Sequence, residues 1–143
     1  LPPSLDALEA QMRSAKAAGR AGKVIALRDA MTQFLKGEPL HSLDRELAIW
    51  LMKLVDQRVA SQTVDAELAG WVAQAVDSLG EMPEAAPLRT SLPALRRHAG
   101  LCQKCGRPLA SHDVYCDRCL ASRHSRSSSP EKPTQPAPIR ERQ

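Results

Sequence analysis

Apolar residues recur at helical spacing through the first half of the chain. Leu5, Leu8, Met12 and Ala15 fall on one helix face, and Ser4 stands where an N-cap accepts an orphan backbone N–H. A second stripe runs Val24, Leu27, Met31, Phe34 and Leu35, set apart from the first by Gly19 and Gly22. Gly37 and Pro39 predict the end of that second helix.

Two further helical segments resemble each other at an offset of 21 residues. Ser42-Leu43-Asp44-Arg45-Glu46-Leu47-Ala48-Ile49-Trp50 aligns with Thr63-Val64-Asp65-Ala66-Glu67-Leu68-Ala69-Gly70-Trp71. Ser42 and Thr63 are the expected N-caps, and the Asp and Glu after each sit where the helix dipole favours negative charge. Trp50 and Trp71 lie inside apolar stripes (Leu47, Leu51, Leu54 in one; Leu68, Val72, Ala75 in the other), which makes them expected core anchors rather than ligand platforms. A single hairpin pair with short loops predicts a compact antiparallel bundle rather than a solenoid.

The periodicity changes after Leu79. Gly80 to Pro87 reads as a linker, and a short helix is expected after it, with Ser91 as cap, Pro93 in its first turn and Arg96, Arg97 and His98 at its end before Gly100. From Ser122 the chain is rich in Ser, Arg and Pro without any period, the signature of disorder. The expected division is 1–80 helical bundle, 81–100 linker and short basic helix, 101–120 cysteine module and 121–143 disordered basic tail. The fold class is mainly α: about four helices followed by a small β-hairpin built around cysteines.

All four cysteines fall between Cys102 and Cys119, as Cys-x2-Cys-x10-Cys-x2-Cys. Two disulfides would satisfy the count in a secreted chain. Two Cys-x-x-Cys bends at this spacing are better matched to a structural zinc, which takes four tetrahedral thiolate or imidazole ligands. Cys102, Cys105, Cys116 and Cys119 are the expected ligands of one structural Zn²⁺. Gly106, next to Cys105, is the residue a tight bend with positive φ requires. Arg107-Pro108-Leu109 and Val114-Tyr115 are the expected arms of the hairpin, with Ser111-His112-Asp113 as its turn. Four thiolates close the site, which points away from catalytic zinc with its open position. Rubredoxin-like iron and a thiol redox switch are the other readings of the same residues.

The stretch Leu101–Leu120 resembles the short zinc-ribbon family. Cys102, Cys105, Gly106, the ten-residue spacer, Tyr115 before the third cysteine, Cys116 and Cys119 carry the resemblance. It departs at Gln103, where Pro is frequent, and at Leu120, where a second Gly often stands. The resemblance implies a zinc-bound β-hairpin with four thiolate ligands. It implies no single function, because such ribbons serve transcription, translation, ubiquitin binding and plain structural capping. The Trp and Asn that mark the ubiquitin-binding type are missing here.

Composition refines this picture. Aromatics make up 3% of the 143 residues, so the core must be aliphatic. The net charge of +4 conceals a split. Residues 1–85 carry 9 Lys/Arg against 12 Asp/Glu, and residues 86–143 carry 11 against 4. A basic cysteine end on an acidic helical chain raises polyanion contact as a reading. Arg96, Arg97, Lys104, Arg107, Arg118, Arg123 and Arg126 are the nucleic-acid-binding candidates, for RNA or DNA phosphates. No run approaches the roughly 18 apolar residues of a membrane span. The chain opens Leu1-Pro2-Pro3, as expected of a processed product or an excised fragment.

No Gly-rich phosphate loop, HExxH or nucleophile elbow occurs, so no enzyme is expected. The leading expectation is a non-catalytic zinc-binding adaptor or regulatory protein. It would bind a protein partner through its helices and use the ribbon as a second contact. The alternative is a nucleic-acid-binding protein that uses the basic ribbon and its flanks. Clustered, metal-spaced cysteines place either in an intracellular, reducing compartment, cytoplasm or nucleus.

Overall fold

The computed structural model describes residues 3–109 and 115–121. Ser4 does cap the first helix: its hydroxyl accepts from Ala7 N at 3.2 Å, and α1 runs Leu5–Ala17. α2 follows as Ala21–Met31, α3 as Glu38–Ala60, α4 as Ala66–Leu79 and α5 as Ala86–His98, with a 3₁₀ turn at Pro83–Ala85 between the last two. The fold is mainly helical, as expected, with five α-helices among the described residues rather than about four.

One aliphatic core unites these elements. Leu8 and Met12 of α1 meet Val24, Ile25 and Met31 of α2, Leu47, Leu51 and Val55 of α3, and Leu68, Val72 and Ala75 of α4. α1 packs mainly on α2, and α4 on α5, while α3 touches α2, α4, α5 and the 3₁₀ turn. Trp50 and Trp71 lie half-buried against this core, matching their expected role as anchors.

Four boundaries differ from the sequence reading, each for a physical reason. Gly37 and Pro39 begin a helix instead of ending one. α2 stops at Met31, and Pro39 occupies the first turn of α3, where a fixed φ and a missing N–H cost nothing. Ser42 therefore lies inside α3 and caps nothing.

At the next turn, Thr63 is claimed by Arg58. The Arg58 guanidinium Nε donates to Thr63 O and Oγ1, both at 2.9 Å. The cap of α4 passes to Asp65, whose Oδ1 accepts from Leu68 N at 2.8 Å.

The stretch from Gly80 to Pro87, expected as linker, is folded. Met82 and Ala85 are buried in the core, and α5 starts at Ala86 rather than after Ser91. Pro93 consequently sits inside α5, and burial of Leu88 and Leu95 on either side holds the helix across it.

The matched aspartates of the 21-residue repeat do different work. Asp65 is a cap. Asp44 lies in the body of α3, 8% exposed, and takes a bidentate ion pair from Arg28 of α2, at 2.8 Å to Nε and 2.9 Å to Nη2. The Asp44 hydrogen bonds raise the Arg28 pKa above its ordinary value against the opposing effect of burial. Asp44 was expected to serve the helix dipole; it instead ties α2 to α3.

Glycine sets the α2–α4 distance. A Cβ at Gly22 would lie 2.6 Å from the Trp71 ring, so the indole rests on a bare backbone.

Two outcomes follow for thermal or urea unfolding. In an open helix Gly→Ala gains about 1 kcal/mol. Gly22→Ala should instead lose about 1–3 kcal/mol, because the Trp71 ring must be displaced. Asp44→Ala should cost about 2–4 kcal/mol by stranding a mostly buried guanidinium, while the double variant Arg28→Met/Asp44→Leu should recover most of that loss.

Candidate metal centre

The cysteine module begins one residue after the core ends. Leu101, 7% exposed, belongs to the helical core, and its N–H donates to Arg96 O at 2.8 Å. Cys102 follows directly. Cys102 N donates to Arg107 O at 2.7 Å and Gly106 N to Cys102 O at 2.8 Å, closing a turn over residues 103–105. Leu109 N returns to Gly100 O at 3.0 Å, and Leu101 and Pro108 form an isolated antiparallel bridge. Gly106 has φ +81, the left-handed conformation anticipated from its place after Cys105.

The second pair is presented differently. Residues 117–121 form a helical turn, in which Leu120 N donates to Cys116 O at 3.0 Å. Cys116 and Cys119 are three apart on that turn, a spacing that puts both on one side. The expected β-hairpin is not present among the described residues. Its first arm carries one bridge, and its second arm gives way to the helical turn. The expected hairpin turn, including His112, lies outside the described residues.

The four sulfurs nevertheless converge. The Sγ atoms of Cys102, Cys105, Cys116 and Cys119 all lie within 4.8 Å of one another. None is in a disulfide, and the Cys105–Cys116 separation of 3.5 Å is well beyond the roughly 2.05 Å of an S–S bond. Bonds of about 2.3 Å to a tetrahedral ion set sulfurs about 3.8 Å apart, so the cluster matches one metal ion. Cys102 and Cys119 are buried, Cys116 is half-buried and Cys105 exposed.

Electrostatics favours a cation here. Burial alone would push the Cys102 thiol up, but backbone hydrogen bonds from Cys105, Cys116 and Lys104 bring it down to about 5. The Cys116 thiol is also lowered, chiefly by a backbone hydrogen bond from Cys119. Cys119 goes the other way, to about 12, through burial and the neighbouring sulfurs. Without a cation the cluster cannot hold four negative charges; a divalent ion lets all four thiols ionise.

The basic residues around the cluster are not equivalent. Arg96 Nη1 donates to Lys104 O at 2.7 Å and Gln103 O at 3.3 Å, so its guanidinium is engaged with the first bend. Arg97 Nη1 reaches the Gln103 side chain at 3.3 Å. Lys104, Arg107 and Arg118 are exposed. Arg123 and Arg126 lie outside the described residues. The role of Arg96 carries no pattern a single sequence could reveal, since the contact crosses seven residues between a helix end and a loop.

Trp71 also borders an open groove of about 510 Å³ with Lys23, Arg58, Asp65 and Glu67. Its charges are of both signs, and it lies on the helical part rather than at the cysteines. No helix of the described residues is long and apolar enough to cross a membrane. No protein-family model, curated protein or solved structure matches the chain.

Two glycines of the module separate strain from crowding. At Gly100 (φ +75) an added Cβ meets nothing within 4 Å; at Gly106 it would stand 3.2 Å from Arg96 Nε. Gly100→Ala should cost about 1–2 kcal/mol of strain alone. Gly106→Ala should cost more in thermal unfolding of the metal-loaded protein, because Arg96 must also yield.

Proposed function

We propose that this chain is a non-catalytic zinc-binding adaptor or regulatory protein, whose closed four-thiolate site is structural and whose helical region binds a protein partner. The observation that carries this reading is the convergence of four thiols, and no other ligand type, one residue from the helical core. Four sulfurs suit zinc, and they leave no position for a substrate or water. A structural ion contributes its binding free energy to folding. Free, clustered thiols suit a reducing compartment, cytoplasm or nucleus.

The helical surface offers Phe34, Ile49 and Val59 as its large exposed apolar side chains, at 47%, 47% and 43%. These are the positions at which a protein contact would remove apolar surface from water. The ribbon resemblance is the finer part of the reading and rests on the residues of the module alone.

Nucleic-acid binding is the second reading. It is favoured by the exposed Lys104, Arg107 and Arg118 beside the sulfurs, and disfavoured by the engagement of Arg96.

Affinity capture with the full chain separates the two. A protein partner should be retained at 0.5 M salt (about 3–5 Å of screening length) and lost from the Phe34→Ser/Ile49→Ser variant. Retention that is nuclease-sensitive, collapses with salt and depends on Lys104, Arg107 and Arg118 would instead establish the nucleic-acid reading.

A further inference from the structure

Arg96 is the one side chain of the helical part that reaches across to the metal-binding bend. Its Nη1 donates to two successive carbonyls, Gln103 O and Lys104 O. Each carbonyl belongs to a peptide group whose N–H comes from the next residue. Gln103 C=O shares its plane with Lys104 N–H, and Lys104 C=O with Cys105 N–H.

In a trans peptide the C=O and N–H point in opposite directions. Every peptide bond described here is trans. Carbonyls turned toward Arg96 therefore turn the two N–H groups away from it. Those same two N–H groups, of Lys104 and Cys105, hydrogen-bond the sulfur of Cys102. Arg96, two peptide groups and Cys102 Sγ thus form a relay. A cation at one end polarises the peptides and strengthens the N–H···S bonds at the other.

Two further observations hold the relay in place. Leu101 N–H donates to Arg96 O, so the backbone of Arg96 is itself bonded to the residue before Cys102. Gly106 passes so close to the guanidinium that a Cβ would sit 3.2 Å from Nε. The bend is therefore packed on the guanidinium as well as hydrogen-bonded to it.

We propose that Arg96 is a positioning residue of the metal centre: it presets the first cysteine bend for metal binding without touching the metal. Its positive charge also offsets the surplus negative charge that four thiolates leave on a divalent ion. This rests on the zinc reading above. Outer partners of metal ligands typically contribute 10–100-fold in affinity.

The test compares wild type, Arg96→Met and Arg97→Met in the full chain. Met keeps the apolar stem and removes charge and donors. Zn²⁺ affinity is measured by competition with a chromophoric chelator, the tetrahedral thiolate signature is read with Co²⁺, and metal-free thermal unfolding is recorded for each. Arg96→Met should bind Zn²⁺ 10–100-fold more weakly, with its metal-free melting unchanged. Arg97→Met, which loses only a contact to the Gln103 side chain, should bind like wild type.

Three results overturn the proposal. Arg96→Met could bind Zn²⁺ like wild type. Its weaker binding could be accompanied by an equal loss of metal-free stability, making Arg96 a fold residue. Arg97→Met could weaken binding as much, making the effect one of general charge. A wild-type chain that takes up neither metal would remove the zinc reading itself, and is distinguishable from all three.

Discussion

The burial of Leu101 fixes where the first metal ligand can be. Leu101 belongs to the same aliphatic core as Val24, Leu51 and Val72, and Cys102 is its immediate neighbour. A single peptide unit is too short to let the two move independently. The cysteine cluster is thus an extension of the packed helical unit, joined to it through Leu101, the Arg96 carbonyl and the Arg96 guanidinium. A small module with few apolar residues has little core of its own, so core contact on one side and a metal on the other are what can hold it.

The same economy runs through the helices. With 3% aromatics, the core is filled by Leu, Val, Ile, Met and Ala, and helices must approach closely to exclude water. Gly22 under Trp71 is one such approach, and the Arg28–Asp44 pair sets another, between α2 and α3. The pair supplies geometry more than net stability, because desolvating both charges consumes much of their attraction.

Much of this was legible in the sequence where a local rule was decisive. Ser4 caps α1 because nothing else competes for it, and the apolar stripes of α1, α3 and α4 mark their buried faces. The Cys-x2-Cys spacing and Gly106 gave the ligand cluster and its left-handed bend. Legibility failed where a tertiary contact outbid a local preference. Thr63 looked like a cap but is held by Arg58; Asp44 looked like a twin of Asp65 but is paired with Arg28, 16 residues earlier. Pro83 and Pro87 looked like linker, but Met82, Ala85 and Leu88 are buried. The hairpin expected from the ribbon resemblance gave way to a helical turn at 117–121, where Cys116 and Cys119 suit three-residue helical spacing equally well.

The basic collar, which suggested phosphate binding, divides in the same way. Arg96 is turned inward onto Gln103 O and Lys104 O, whereas Lys104, Arg107 and Arg118 face solvent. The central claim is the closed metal site, and elemental analysis combined with mass spectrometry after alkylation tests it most directly. Protein purified in the absence of chelator should carry about one zinc per chain, with all four thiols protected until it is stripped. Metal-free protein whose four cysteines alkylate freely, or are joined as disulfides, would contradict it.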